Sequence, residues 1–183
     1  MILGIDVSTT KVGLAVIDLD GNLKTYDLIK FKKDHTLEEK AISFENKIIK
    51  LDKYYNINHV YIEQAAMMFR GGKTTAVTMA KLQRFNGMCS YACMRVFEFP
   101  PEMVHPNSAR KKMNISIPRS VKDKKGFIIN EVQKQYPKFT FQKTKFGNPK
   151  PGTDDIADAI VVAHSGYVDI IGVQDVIGKD QDS

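Results

Sequence analysis

Residues 152–164 constrain the fold more than any other stretch, because they read as one helix with two different faces. Helical spacing places Asp155 and Asp158 three residues apart on the same face, whereas the opposite side is apolar and suited to packing. Thr153 fits an N-cap, and acids in a first turn suit the positive end of the helix dipole. Acids at a helix start are usually structural, so this pair alone does not indicate a functional site.

Two other acids, far away in the sequence, change that interpretation. Asp6 ends the apolar run 2–6 and Glu63 ends the apolar run 59–63, and both runs are typical of buried strands. An ionised carboxylate at the end of a buried strand is costly unless a partner compensates its charge. The sequence offers no obvious compensating Lys or Arg close to the four acids. We therefore expect a divalent metal ion as their partner.

Length and composition indicate a globular protein with one domain. The chain has 183 residues, of which 43% are hydrophobic and 26% charged, which is ordinary for a soluble protein. We expect a single domain over residues 1–177 and a polar, disordered tail over 178–183. No apolar run approaches the roughly 18–20 residues that span a bilayer, and the N-terminus lacks a signal-peptide pattern. We expect a cytoplasmic protein with no membrane partner.

The positive charge is concentrated in one segment. The net charge is +6, yet residues 106–150 hold 12 Lys or Arg and 2 acids, whereas the remainder holds 15 Lys or Arg and 19 acids. A basic segment on a mildly acidic body indicates a polyanion-binding surface, although a solvated loop is the alternative. Cys89 and Cys93 have no companion pair, so buried free thiols are expected.

The order of apolar patterns predicts an α/β fold. A three-strand meander followed by βα units gives a five-stranded mixed sheet with helices on both faces. If the fourth strand pairs in parallel with the first, Asp6 and Glu63 lie side by side. The last helix can then lay Asp155 and Asp158 across them, which suits two Mg²⁺ or Mn²⁺ ions. The expected strands are 1–7, 11–17, 22–31, 58–63 and 96–99, and the expected helices are 37–55, 74–95, 106–112, 121–136 and the one after Gly152.

Three motifs resemble those of a known family. The runs 4–13, 62–64 and 155–159, which contain the four acids, resemble the RuvC group of Holliday-junction resolvases within the RNase H-like superfamily. The resemblance covers about the first 165 residues, in order. It implies the RNase H-like fold and four metal-binding catalytic carboxylates: Asp6, Glu63, Asp155 and Asp158. Asp154 lies about 100° around the helix from Asp155 and is left outside this set.

The resemblance also implies residues that contact DNA. Family lysines near the scissile phosphate match Lys124, as a catalytic residue, and Lys111. Where the family has an aromatic residue just after the catalytic Glu, this chain has alanines, and Phe69 follows six residues beyond Glu63. His105 is a further candidate phosphate contact, whereas His164 lies opposite the Asp155 face and is expected to be packed. The expected DNA-binding residues are Phe69, Arg70, Lys73, Arg110, Lys111, Lys112, Lys122, Lys124 and Lys125.

The function that the resemblance implies is metal-dependent cutting of four-way DNA junctions by paired nicks. A four-way junction has two-fold symmetry, which favours a homodimer. We expect it to form through the 74–95 helix, unless that helix is simply buried within the monomer. The residues that suggest this contact are Val77, Leu82, Phe85, Met88, Cys89, Ala92 and Met94.

Other functions remain open from the sequence. The same carboxylates suit a nuclease for other branched DNA, or for RNA in ribosomal-RNA processing. An ATP-binding module of the actin and sugar-kinase type has a similar first hairpin, but its phosphate loop needs Gly where this chain has Ser8. A scaffold that binds branched nucleic acid without cutting is disfavoured by the complete set of acids.

Overall fold

The computed structural model describes residues 1–65 and 75–181, with side chains as far as residue 172. Within these residues it forms a mixed α/β structure. The strands are β1 (Ile2–Val7), β2 (Lys11–Ile17), β3 (Leu23–Lys30), β4 (His59–Glu63) and β5 (Glu102–Val104), and the helices are α1 (Leu37–Tyr55), α2 (Ala76–Phe97), α3 (Pro106–Lys112), α4 (Lys124–Gln135) and α5 (Thr153–Gln181).

The five strands form one mixed sheet in the order β3-β2-β1-β4-β5. The meander β1-β2-β3 is antiparallel, whereas β4 pairs in parallel with β1 and β5 pairs in parallel with β4. Ile5 lies opposite Ile62, so the next residues, Asp6 and Glu63, lie at the same end of two neighbouring strands. The predicted sheet and the predicted pairing of the first and fourth strands are confirmed.

Side chains alternate between two apolar cores, one on each face of the sheet. Leu3 and Ile5 of β1 belong to the core that α1 and α2 cover, whereas Ile2 belongs to the core covered by α3, α4 and α5. Asp6 follows the alternation of Ile2 and therefore faces α5. Glu63 does the same, because Ile62 beside it belongs to the other core. Both strand acids consequently point to the helix that carries the other acids.

Two glycines let α5 lie directly on the sheet. A Cβ atom at Gly4 would overlap the backbone of Ala159 and Ala163, and one at Gly13 would overlap the backbone of Asp155. Gly13 is the residue that pairs with Asp6 across β1 and β2. The absence of a side chain there brings the first turn of α5 next to Asp6.

The predicted fifth strand at 96–99 is wrong. Helix α2 continues to Phe97 and ends at Glu98, whose left-handed backbone (φ 65°) forms the C-cap. The fifth strand begins only after Pro100 and Pro101, at Glu102. Phe97 is buried in the α1–α2 core, and packing of this helical face overrides the strand preference of the local sequence.

Other helix boundaries also differ from the predicted ones. Helix α4 starts at Lys124 rather than at residue 121, because the Asp123 side chain accepts a hydrogen bond from Gly126 N at 3.0 Å and caps the helix there. Helix α5 includes residues 178–181, which the sequence assigned to the tail. Cys89 and Cys93 are buried and free, as predicted.

Within the described part of the chain, every helix is too short or too polar to cross a membrane.

Candidate active site

Four acids from three elements lie together at one end of the sheet. Asp6 comes from β1, Glu63 from the end of β4, and Asp155 and Asp158 from the start of α5. Burial raises the pKa of Asp6 well above its usual value, and the negative charges of the other three acids and of Asp154 raise it further. The structure therefore brings together the four side chains that the sequence singled out as metal ligands.

Glu63 and Asp158 are in a similar electrostatic environment. Burial raises the pKa of Glu63 to about 7, the charge of Asp158 adds to this shift, and Arg110 opposes it. Burial also raises the pKa of Asp158, although the Arg110 guanidinium acts in the opposite direction. Carboxylates held close together in a poorly hydrated place resist ionisation. A cation that binds at such a site lowers its free energy, because it offsets the repulsion between the carboxylates.

The expectation that no Lys or Arg lies near these acids is wrong. Lys11 Nζ donates to Asp155 Oδ2 at 2.6 Å, and Arg110 Nη2 donates to Asp158 Oδ1 at 3.4 Å. Lys11 is 144 residues away from Asp155 in the chain, so proximity in sequence could not reveal it. The alternation along β2 did carry the signal, because Lys11 shares the strand face of Gly13 and Ala15 that packs on α5.

Asp154 has its own partner at the edge of the site. Burial tends to raise the pKa of Asp154, but hydrogen bonding to the Lys125 ammonium lowers it below its usual value. The same contact raises the pKa of Lys125, whose charge also acts on Asp155 and Asp158. The lysine of α4 that reaches the acids is thus Lys125. Lys124 is exposed and makes no ion pair within the described residues.

The chemistry of the donor set fits a hard divalent cation. Carboxylate oxygens are the ligands that Mg²⁺ and Mn²⁺ prefer, and Asp6 and Glu63 form no ion pair among the described residues. Across the described residues, no three acids, His or Cys already surround one ion position. A metal ion would have to replace Lys11 and Arg110 as the partners of Asp155 and Asp158.

Two other predicted DNA-binding residues lie on α3, which contacts the site through Arg110. Arg110 and Lys111 line a cavity of about 480 Å³ beside α3, together with Asn107, Asn114 and Ser116. The Nε atom of Arg110 is buried and has no hydrogen-bond partner among the described residues.

The structure says less about the remaining predicted DNA-binding residues. Lys112 is held by Asp169, with Nζ at 2.5 and 2.6 Å from the two carboxylate oxygens, and Lys122 is exposed. Phe69, Arg70 and Lys73 lie outside the described residues.

The two histidines have structural contacts. His105 caps α3, and its Nδ1 accepts a hydrogen bond from Asn107 N at 3.2 Å. His164 is hydrogen-bonded to the Tyr136 hydroxyl at 2.7 Å, and burial lowers the pKa of its imidazole. The prediction that His164 is packed rather than catalytic agrees with this position.

Comparison with known proteins gives matches only at the level of structure. No protein-family model and no curated protein sequence matches this chain. Thermus thermophilus RuvC in complex with a Holliday junction substrate matches with a TM-score of 0.67 and 16% identity, over 93% of this chain and 95% of that one. Another T. thermophilus RuvC structure matches with a TM-score of 0.64 and 16% identity, over 93% and 96% of the two chains.

A eukaryotic structure gives the same result. The yeast mitochondrial Holliday junction resolvase Ydc2 matches with a TM-score of 0.54 and 17% identity, over 91% of this chain and 77% of that one. Identities this low establish the fold and leave the activity open. The chain has the RNase H-like fold of the RuvC-type Holliday junction resolvases, as its motifs predicted.

Proposed function

We propose that this protein is a metal-dependent endonuclease that resolves four-way DNA junctions. The observation that carries the proposal is the convergence of Asp6, Glu63, Asp155 and Asp158 from three elements. Among the described residues, Asp6 and Glu63 form no ion pair with a lysine or arginine. The basic residues around the cavity beside α3 support a nucleic-acid substrate. The match to a resolvase in complex with a Holliday junction supports the branched form of that substrate.

The four acids would hold two Mg²⁺ ions, for which Mn²⁺ could substitute. When bound, such a pair activates a water molecule and stabilises charge on the attacking and leaving oxygens of a phosphodiester. Asn86 fixes the end of β4, since its Nδ2 donates to the Glu63 carbonyl at 3.0 Å. Arg110 and Lys125 place positive charge beside the acids, where each can attract and orient a phosphate oxygen.

The proposal is tested by mapping products on a synthetic four-way junction with Mg²⁺. We expect paired nicks at symmetry-related positions in opposing strands, and no comparable cutting of duplex, flap or RNA–DNA hybrid controls. Cutting of the flap or the hybrid in preference to the junction would contradict the proposed substrate and favour the other nuclease activities of this fold. No cutting of any substrate would contradict the proposed reaction.

We also propose that the protein acts as a homodimer through α2. Of the residues that suggested this contact, Phe85, Cys89 and Ala92 are buried inside the monomer. The outer side of α2 instead exposes Val77 (64%), Tyr91 (61%) and Met94 (50%). Gly87, on the same side, has open space around it, so a second helix can approach closely there. Two copies related by a two-fold axis would supply two equal sites to a symmetric junction.

Sedimentation at micromolar concentration tests this contact. We expect a dimer for the wild type and a folded monomer for Tyr91→Asp, because a charge would then be buried in the contact. Lys53→Ala is the matched control, because Lys53 is exposed near the C-terminal end of α1, and this variant should remain dimeric. A wild type that is monomeric both free and on the junction would contradict the proposal.

A further inference from the structure

The segment between α4 and α5 contains a closed hairpin. Thr144 N donates to Asn148 O at 2.7 Å and Lys150 N donates to Gln142 O at 2.9 Å, while Lys143 forms an antiparallel bridge with Pro149. Gly147 allows the tight turn, since its φ of +81° is a conformation that side chains disfavour. This part of the basic segment 106–150 is therefore an ordered hairpin, called here the 142–150 hairpin.

The base of the 142–150 hairpin is attached to the body of the protein. Phe139 is fully buried, and its ring contacts Tyr26 and Phe141 at centroid distances of 5.3 and 5.6 Å. At the other end, Lys150 O accepts hydrogen bonds from Thr153 N at 3.1 Å and Thr153 Oγ1 at 2.7 Å. Thr153 is the first residue of α5, so the hairpin is fixed to the helix that carries Asp155 and Asp158.

The tip of the hairpin is chemically different from its base. Phe146 is 78% exposed, whereas at the base Phe139 is buried and Phe141 is partly buried. Lys145 Nζ lies 4.9 Å from the centroid of the Phe146 ring, a cation–π distance. Lys143 and Lys150 are also exposed, and residues 138–150 hold four lysines and no acid. An exposed ring among lysines that form no ion pair with a described acid offers a surface for stacking next to anions.

We propose that the 142–150 hairpin is a second nucleic-acid contact, in which Phe146 stacks on a base and Lys143 and Lys145 contact the phosphates beside it. Aromatic rings alternating with basic side chains are the usual way to bind a strand without reading its sequence. An apolar protein partner would instead disfavour the lysines at the tip. The inference rests on the proposed function in taking the strand to be part of the junction that the acids cut.

The short stretch of chain between Phe146 and Asp155 limits how far the hairpin tip can lie from the acids. Nine residues along the chain separate Phe146 from Asp155, so their Cα atoms lie within about 32 Å even if that stretch were fully extended. This span corresponds to roughly nine base-pair steps. A hairpin that doubles back is shorter, so one DNA substrate is long enough to contact both Phe146 and the acids.

Binding to fluorescent DNA in EDTA tests the contact without cleavage. Phe146→Ala should weaken binding to a four-way junction and to a single strand by roughly 5- to 150-fold. Phe146→Leu should bind as weakly as Phe146→Ala, because leucine is apolar but has no ring to stack. Phe146→Tyr keeps the ring and should bind nearly as tightly as wild type. Changing both Lys143 and Lys145 to Ala should reduce the salt slope of binding by about two units, and Lys53→Ala should leave it unchanged.

The possible outcomes separate this inference from the proposed function. Phe146→Ala with wild-type affinity on a junction that the protein does cut would overturn the hairpin contact and leave the nuclease intact. Phe146-dependent binding of single strands by a protein that cuts no junction would do the reverse. A Leu variant that binds like wild type while Ala does not would overturn stacking and indicate an apolar contact. Thermal unfolding should show all variants folded, because these side chains are exposed.

Discussion

The two pairs of acids at the candidate site differ in how their charge is balanced. The strand pair, Asp6 and Glu63, comes from neighbouring strands and has a raised pKa at both carboxyls. The helix pair, Asp155 and Asp158, comes from α5, and each carboxylate already has a cation from the protein. Burial still raises the pKa of Asp158 despite Arg110, so the difference between the pairs lies in their ion pairs. The strand pair has none among the described residues, and an external cation would be its first direct counter-charge.

The origin of this difference lies in the sheet. Parallel pairing of β1 and β4 brings two buried strand ends together, and alternation turns both acids to the same face. Helix α5 is placed over them by Gly4 and Gly13, where it also meets Lys11 from β2 and Arg110 from α3. The strand pair is thus covered by the start of α5, whereas the helix pair lies where β2 and α3 contribute charge.

The largest expected effect is on cleavage, and it is the same for both pairs. Asp6→Asn, Glu63→Gln, Asp155→Asn and Asp158→Asn should each reduce cleavage of a four-way junction by at least two to three orders of magnitude, because each removes a group that stabilises transition-state charge. Junction affinity in EDTA should remain within a few-fold of wild type. A variant with near-normal turnover at saturating Mg²⁺ would remove that residue from the site.

Without metal, replacing an acid of the strand pair and replacing an acid of the helix pair should change the free energy of unfolding in opposite directions. Glu63 titrates near 4.5 in an ordinary environment and near 7 in the fold, so the folded state binds more protons between these values. The contribution of Glu63 to stability is therefore lost as the pH rises from about 4.5 to about 7. At pH 8, Glu63→Gln should raise the free energy of unfolding by about 1–3 kcal/mol, and at pH 4.5 the gain should disappear.

Asp155→Asn provides the opposite case. This change leaves Lys11 without its ion pair and should lower the free energy of unfolding by up to about 1 kcal/mol. Thermal unfolding in EDTA at pH 4.5 and pH 8 measures the stability change of both variants. For a chain of this size, 1 kcal/mol corresponds to a Tm shift of roughly 2–4 °C. Equal shifts in the same direction for Glu63→Gln and Asp155→Asn at pH 8 would remove the distinction between the pairs.

A smaller effect is expected at Lys11, which competes with metal for Asp155. Lys11→Ala should tighten Mn²⁺ binding by roughly fivefold, because it removes one positive charge from the vicinity of the ion. Calorimetric titration measures this, with Lys11→Arg expected to stay near wild type. Lys24→Ala is the matched control, since Lys24 pairs with Asp18 at 3.4 Å away from the site. Weaker Mn²⁺ binding by Lys11→Ala would show that Lys11 orients Asp155 for the ion instead.

The smallest effect separates lysines with and without an acidic partner. Lys111 lines the cavity beside α3, whereas Lys112 is held by Asp169. Lys111→Ala should lower the salt slope of junction binding by about one unit, and Lys112→Ala should lower it less. Fluorescence anisotropy over a series of salt concentrations makes the comparison. A larger loss for Lys112 would show that DNA displaces Asp169.

Much of this arrangement follows from local sequence patterns. The strand acids and the helix acids were predicted, because apolar runs and helical spacing fix them within single elements, and the parallel pairing was expected from the order of the strands. The end of α2 was not, since Val96 and Phe97 favour strands locally and only packing against α1 and the sheet keeps them helical. The contacts of Lys11 and Lys125 were also missed, because they join elements distant in the chain. Alternation along β2 places Lys11 on the strand face that packs on α5 but does not specify its partner.

Asp6 and Glu63 should be required for binding of a divalent cation, and counting the bound metal ions tests this most directly. Electron paramagnetic resonance of free Mn²⁺ during titration gives the number of ions bound per chain. We predict two for the wild type, and loss of at least one of them in both Asp6→Asn and Glu63→Gln, with each variant folded by thermal unfolding. Mn²⁺ binding that is absent in the wild type, or unchanged in both variants, would contradict the claim.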